Sequence, residues 1–271
     1  MNLFEKFIRL LQTTVPVPPE WGLWHIMSIL AVIAAGVISV FLMRGASNKK
    51  LRVFLGVVGA VTILLEIIKQ IVFCLSFTEN GAVWNYQWYL FPFQFCSLAM
   101  YVSFVTGFVK QGRLQECLLS FLTSYSLVAG FIVMLVPSQV FCHIAFINVQ
   151  TIIHHGSMLV MAAVIVAGGH VKLGLKSVLK GTLVFGIFMI IALIANVVAV
   201  KVFNMQEFFN LFYISPYFDC PMPVFSLIYK AVPYPVFLLL YLVGFVGGSC
   251  LLVYLVKLAC GLPKICRTKA A

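Results

Sequence analysis

Runs of about 20 apolar residues recur along the whole chain, and no other feature constrains its fold as strongly. A run of that length, wound as a helix rising ~1.5 Å per residue, covers a hydrocarbon core ~30 Å thick. Seven spans are expected, at about 24–43, 53–75, 90–109, 117–136, 146–168, 181–200 and 234–256. Composition agrees, because only 9% of the 271 residues are charged, against roughly 25% in a soluble domain. The expected fold is all-α, a polytopic membrane bundle of seven transmembrane helices forming a single domain over 1–271. The first segment does not read as a cleavable signal peptide, since 1–24 is mixed and aromatic-rich and no small-residue cleavage site follows the first apolar run.

The net charge of +11 would suit a nucleic-acid partner, but its placement excludes that class. The basic residues cluster in short segments between apolar runs: Arg44, Lys49, Lys50 and Arg52; Lys110 and Arg113; Lys172, Lys176 and Lys180; and the tail residues Lys257, Lys264, Arg267 and Lys269. These thirteen share one side, while Lys6, Arg9, Lys201 and Lys230 fall on the other. The positive-inside rule then places the N-terminus outside and the C-terminus in the cytoplasm of a multi-pass cell-membrane protein. The outer segments are aromatic, with Trp84, Tyr86, Trp88 and Tyr89 before the third span. The longest of them, 201–233, is rich in Pro and Phe and is expected to cover an outward-facing cavity.

Against this apolar background the polar residues stand out, because an ionisable group at membrane depth is a functional candidate by default. Glu66 and Lys69 lie three apart on the second span, hence on one face. They suit either a self-satisfied ion pair or a carboxylate that orients a histidine. Gln94 and Cys96 fall in the third span, Gln150, Thr151, His154 and His155 in the fifth, and Asn196 near the outer end of the sixth. His25 opens the first span, and Asn210 lies in the long outer segment. Adjacent helical residues point about 100° apart, so His154 and His155 cannot face the same place. His155 shares a stripe with Thr151 and sits ~13 Å below the outer end of its span. Glu66, Gln94, Gln150, His155 and Asn196 are therefore expected to converge on a polar pocket in the outer half of the bundle.

None of the eight cysteines belongs to a C-x-x-C pair, and no H-E-x-x-H motif or carboxylate cluster is present, so neither a metal nor another cofactor is expected. Cys142 and Cys220 fall in segments on the same side, where a disulfide is open to them without being specified by sequence.

The motifs resemble a known family. Phe91-Pro92-Phe93-Gln94-Phe95-Cys96-Ser97 is similar to the L-P-x-H-L-C-S run of the YwaF-like bacterial membrane proteins, which are grouped with the eukaryotic transmembrane protein 164 family. Gln150-x4-His155-Gly156 resembles that family's Q-x4-H-G. Asn196, the run Asn210-Leu211-Phe212-Tyr213, the later Val232-Pro233-Tyr234-Pro235 and His25 fit further elements in the same order. The chain departs from the pattern at Gln94, where most bacterial relatives have His, and it lacks the two tryptophans of the late motif. The resemblance implies lipid acyl transfer through a cysteine.

Two readings from different classes follow. In the first, the protein is a membrane-embedded acyltransferase or lipase on phospholipid. Cys96 attacks an ester carbonyl, His155 is the base oriented by Glu66, and Gln94 or Asn196 donates to the oxyanion. Membrane lipid is then the partner, and Gln150, His154, Asn210, Lys69 and His25 complete the pocket. In the alternative, the same pocket belongs to a transporter or a lipid- or solute-binding protein, with Glu66, Lys69 and the histidines as a proton relay.

Overall fold

The structure is a computed structural model describing residues 2–261. Lys264, Arg267, Lys269 and Cys266 lie outside the described residues. Six helices among the described residues are long and apolar enough to cross a membrane. They are α2 (Leu23–Leu42), α3 (Asn48–Cys74), the pair α5 (Arg113–Leu122) and α6 (Tyr125–Leu135), α7 (Ala145–Ala167), α8 (Leu175–Lys201) and α10 (Tyr234–Gly261). Shorter helices complete the fold: α1 (Leu3–Leu11), α4 (Leu98–Phe108) and α9 (Pro223–Ala231).

The expectation of seven full helices needs correcting at 90–109, where the regular helix covers only Leu98–Phe108. Pro92 is the cause. A residue before proline is forced out of the helical region, and Phe91 is extended at φ −49°, ψ 126°. The chain then passes through a single 3-10 turn, Phe95–Ser97, before α4 begins. Even so, this segment follows α3 along most of its length. Gln70 reaches the Leu90 carbonyl at 2.9 Å, Gly59 packs on the Phe104 backbone, Gly56 on Gly107, and Arg52 bonds the Gly107 and Phe108 carbonyls. The path from Gln70 to Arg52 spans roughly 27 Å of α3.

The fourth expected span is broken in the middle. Thr123 and Ser124 turn their hydroxyls back onto the Leu119 and Ser120 carbonyls, which bends helices. Ser124 leaves helical geometry at φ −125°, ψ −79°. Gly181 of α8 crosses at this break, where a Cβ would meet the Ser124 hydroxyl at 2.5 Å. This pair is the most central of the six: 78% of its most apolar stretch is buried, against 11% for α2.

The bundle has a basic end and an aromatic end. At the basic end Lys50 donates to the Leu42 carbonyl that ends α2, as Arg52 does to the last two carbonyls of α4, and cations suit helix C-termini. At the aromatic end a two-stranded antiparallel hairpin, β1 (Leu75–Thr78) with β2 (Gly81–Trp84), interrupts the otherwise helical fold. Its signal was the alternation of Leu75-Ser76-Phe77-Thr78 followed by Asn80-Gly81. The N-terminal segment lies across the same end. Gln12 donates to the Val72 and Leu75 carbonyls, and Thr14 bridges to Ile144. Cys142 and Cys220 are free thiols.

The long segment between α8 and α10 folds back into the bundle. Phe209, Asn210, Leu211, Phe212, Ile214 and Ser215 are all buried. Phe212 contacts Phe93, Phe95 and Phe185, and its ring is fully enclosed. Phe212 and Tyr213 both adopt positive φ, 57° and 56°. Such geometry is strained for non-glycine residues and persists only where surroundings hold it.

Candidate functional site

Three elements meet at the candidate site: α7, α3 and the 3-10 turn before α4. His154 and His155 lie at the midpoint of α7, ~15 Å from its start at Ala145. The helix is held closely on two sides. Gly156 admits Val32 of α2, where a Cβ would lie 2.5 Å from the valine Cγ2. Gly130 of α6 admits the His155 carbonyl in the same way. Both histidines are buried, each 5% exposed, while Cys96 on the turn is half-buried. One ring nitrogen from each histidine and the Cys96 Sγ all lie within 4.8 Å of one another.

The hydrogen bonds of the two rings determine what those nitrogens present. His155 Nδ1 lies 2.9 Å from the Thr151 carbonyl, one turn back on α7. His154 Nε2 lies 3.3 Å from the carbonyl of Cys96 itself. A carbonyl only accepts, so each of these ring nitrogens carries the proton and donates. The other nitrogen of each ring, His154 Nδ1 and His155 Nε2, is then a bare lone pair. Both are buried and have no hydrogen-bond partner among the described residues. The rings stand 5.0 Å apart at 77°, so the lone pairs come from two directions. The sequence places the two side chains about 100° apart, yet one ring nitrogen of each lies within 4.8 Å of the Cys96 sulfur.

Of the two partnerships open to Glu66, the ion pair with Lys69 is the one that forms. Its Oε1 receives Lys69 Nζ at 2.8 Å and Gln70 Nε2 at 2.8 Å, and its Oε2 receives Gln150 Nε2 at 3.4 Å. The group that orients His155 is the Thr151 carbonyl, not the Glu66 carboxylate. Glu66 and Lys69 thus form an ion pair with two amide donors, joined through Gln150 to the helix that carries the histidines. Gln150 and His154 are four apart on α7, so this network borders the cluster.

The remaining expected pocket residues hold the inserted segment. Asn196 clamps Leu211 with both ends of its amide, donating to the carbonyl at 3.0 Å and accepting from the N–H at 2.8 Å. Gln94 accepts from the Phe212 N–H at 2.9 Å and donates to the Asn210 carbonyl at 3.0 Å. Asn210 closes the loop on itself through the Ser215 N–H and the Phe218 and Asp219 carbonyls. His25 uses both ring nitrogens elsewhere, accepting from the Trp21 N–H and donating to the Met134 carbonyl. The oxyanion role expected for Gln94 or Asn196 gives way to this clamping role. Sequence reasoning passed over Tyr213 as a site residue. Burial pushes its phenol above the ordinary range, and Cys96 and then Cys220 push it in the same direction, so Tyr213 keeps its proton within electrostatic reach of Cys96. Its position in the Asn210–Tyr213 run was the available signal.

Chemically, the cluster combines a nucleophilic sulfur with two oriented lone pairs in an apolar setting. It can accept the thiol proton, and it can ligate a soft cation. Residues 20–255 match the model of the TMEM164 family. The chain belongs to the TMEM164 family. Neither a curated protein nor a solved structure matches it. The motifs around Cys96, His155 and Asn196 all fall within the matched stretch, which bears out the family resemblance read from them. In this member of the TMEM164 family, the run around Cys96 is the proline-broken segment, and the Q-x4-H-G stretch is the middle of α7.

Proposed function

We propose that this TMEM164-family membrane protein is a thiol-dependent acyltransferase or lipase acting on the acyl esters of membrane phospholipid. One observation carries the reading: the Cys96 sulfur and one ring nitrogen from each of His154 and His155 gather within 4.8 Å, and a backbone carbonyl fixes the tautomer of each ring. In the proposed step, Cys96 Sγ attacks the ester carbonyl while His155 Nε2 takes the thiol proton. The tetrahedral intermediate collapses to a thioester on Cys96, and the departing glycerol oxygen receives the proton from His155. An acceptor hydroxyl or water, deprotonated by the same nitrogen, then releases the acyl group and restores the thiol. In this reading Tyr213, whose phenol keeps its proton, donates to the oxyanion.

The proposal includes a topology. The segment 90–108 forms a seventh, broken crossing, because it follows α3 over roughly the thickness of a hydrocarbon core. Its irregular part is half-buried against the inserted segment and α3, and non-helical backbone at membrane depth needs such cover. The basic end then faces the cytoplasm, and the aromatic end, with α1 and the inserted segment, faces outward in the cell membrane. Reporter fusions after Lys49 and Lys176 are expected to report cytoplasm, and one after Asp219 the exterior. An exterior signal at Lys176 overturns this topology.

The activity is tested by lipid analysis of cells with the protein, without it, and with His155→Ala, together with trapping of a hydroxylamine-sensitive acyl thioester on Cys96. Transport of a substrate by the Cys96→Ser protein, with no thioester in the wild type, would replace this reading with a carrier that uses the Glu66–Lys69 network.

A further inference from the structure

The same cluster has a property that does not depend on acyl transfer. Cys96, His154 and His155 offer one sulfur and two nitrogens within 4.8 Å of one another, and the two unpartnered ring nitrogens belong to side chains more than nine-tenths buried. Metal-bound histidines regularly donate their second ring N–H to a carbonyl or carboxylate, which fixes the ring and leaves the other lone pair for the ion. Both histidines here already do so, to Thr151 and to Cys96. A three-coordinate ion with bonds of ~2.0–2.3 Å holds its ligands roughly 3.6 Å apart, so the cluster closes on an ion by about 1 Å.

Charge selects the ion. A cation at membrane depth is costly unless it is neutralised. Binding replaces the thiol proton, which leaves to solvent, and adds the charge of the metal. A monovalent ion therefore gives a neutral thiolate–bis-imidazole complex, whereas a divalent ion leaves one uncompensated positive charge. The buried carboxylate bordering the cluster, Glu66, is already paired with Lys69 at 2.8 Å. Zinc further requires a fourth ligand, while thiolate and imidazole together suit copper(I). We infer that Cys96, His154 and His155 form a copper(I) site, and that its occupation blocks the Cys96 thiol. The site rests on the geometry of the cluster and not on the acyl-transfer reading.

The test uses the full chain, purified in detergent without oxygen, with copper(I) supplied in competition with bicinchoninate. One copper(I) per chain is expected to be retained. Cys96→Ser and His155→Ala should each weaken retention by more than about 100-fold, beyond the ~10–100-fold that loss of an outer partner costs. Cys220→Ser should leave it unchanged. X-ray absorption at the copper edge of the wild type should show one sulfur and two nitrogens, which decides the matter even if a variant fails to fold. One equivalent of copper(I) should protect Cys96 from alkylation while Cys142 stays reactive. Sulfur-only coordination, undiminished copper in Cys96→Ser, or zinc retained as tightly as copper(I) would each overturn the site. A Cys96 thioester without copper binding leaves the enzymatic reading intact and defeats this one. Copper binding without a thioester does the reverse.

Discussion

Two groups of buried polar residues lie along the inserted segment and α7, and they differ in one respect. Asn196, Gln94 and Asn210 have both ends of each amide bonded, all to backbone of the segment 210–219. His154 and His155 have one ring nitrogen bonded and the other bare, and both bare nitrogens belong to rings that reach a cysteine sulfur. A buried polar group normally finds all its partners, because leaving one unmade costs about 1–3 kcal/mol. The closed group is explained by what it holds: a loop with two residues at positive φ, kept inside an apolar bundle. The open group holds little, so its cost points to chemistry.

The largest expected effect falls on the open group. His155→Ala should lower acyl transfer by about 10²–10⁴-fold, the usual range for a positioned base, and Cys96→Ser by at least as much. Cys96→Ser should keep the fold, whereas His155→Ala also loses a buried ring and its bond to the Thr151 carbonyl, about 1–3 kcal/mol of stability, so turnover is compared per folded protein. Turnover in detergent-solubilised protein, alongside thermal unfolding, measures both. Loss of fold with no specific loss of turnover would erase the distinction between the two groups. The closed group should respond in the opposite way. Asn196→Leu strands the Leu211 N–H and carbonyl in a fully buried place. It should cost about 2–4 kcal/mol of stability, and activity should fall only as far as the inserted segment loosens. An Asn196→Leu protein as stable as the wild type would mean the segment is held by its phenylalanines alone.

The two groups were also unequally legible in the sequence. That the histidines, Cys96 and Glu66 sit at membrane depth follows from the apolar runs around them, and the bundle itself follows from the length of those runs. The meeting of Cys96 with His154 and His155 is different. Cys96 and His154 are 58 residues apart, and the three share no motif spacing, so only the packing of α7 against the 90–108 segment brings them together. The closed group misled for the same reason. Gln94 and Asn196 share a depth with the histidines, but depth does not say which way an amide turns, and both turn toward the inserted segment. Glu66 is an intermediate case: the i, i+3 spacing left an ion pair with Lys69 and a partnership with a histidine both open, and the pair is what forms. The proline break was visible in Pro92, whereas the bend at Thr123 and Ser124 depends on hydroxyls turning back onto their own helix.

A smaller effect separates the two histidines. His154→Ala removes a buried ring as well as its 3.3 Å bond to the Cys96 carbonyl, which together should cost about 2–4 kcal/mol. Because that bond positions the backbone of the nucleophile, turnover should fall too, but less than in His155→Ala. A steeper loss of turnover in His154→Ala would assign the base to His154 Nδ1 and leave His155 as the supporting ring.

The smallest expected effect is the most discriminating for the closed group. Gln94 stands where the related bacterial pattern has histidine, and it accepts one bond and donates one across the inserted segment. A neutral imidazole also offers one acceptor and one donor, on opposite sides of its ring. Gln94→His should therefore keep both the Phe212 N–H and the Asn210 carbonyl satisfied, and thermal unfolding should place it within about 1 kcal/mol of the wild type. Gln94→Leu, which fills similar space and satisfies neither group, should cost about 2–4 kcal/mol. If Gln94→His proves as damaging as Gln94→Leu, the reach of the amide matters more than its pairing. Position 94 would then be matched to this chain's own inserted segment and not to an interchangeable donor and acceptor. If the histidine instead raises turnover while stability is unchanged, a third ring two residues from Cys96 has joined the open group. The boundary between clamp and site would then lie within the single turn that separates Gln94 from Cys96.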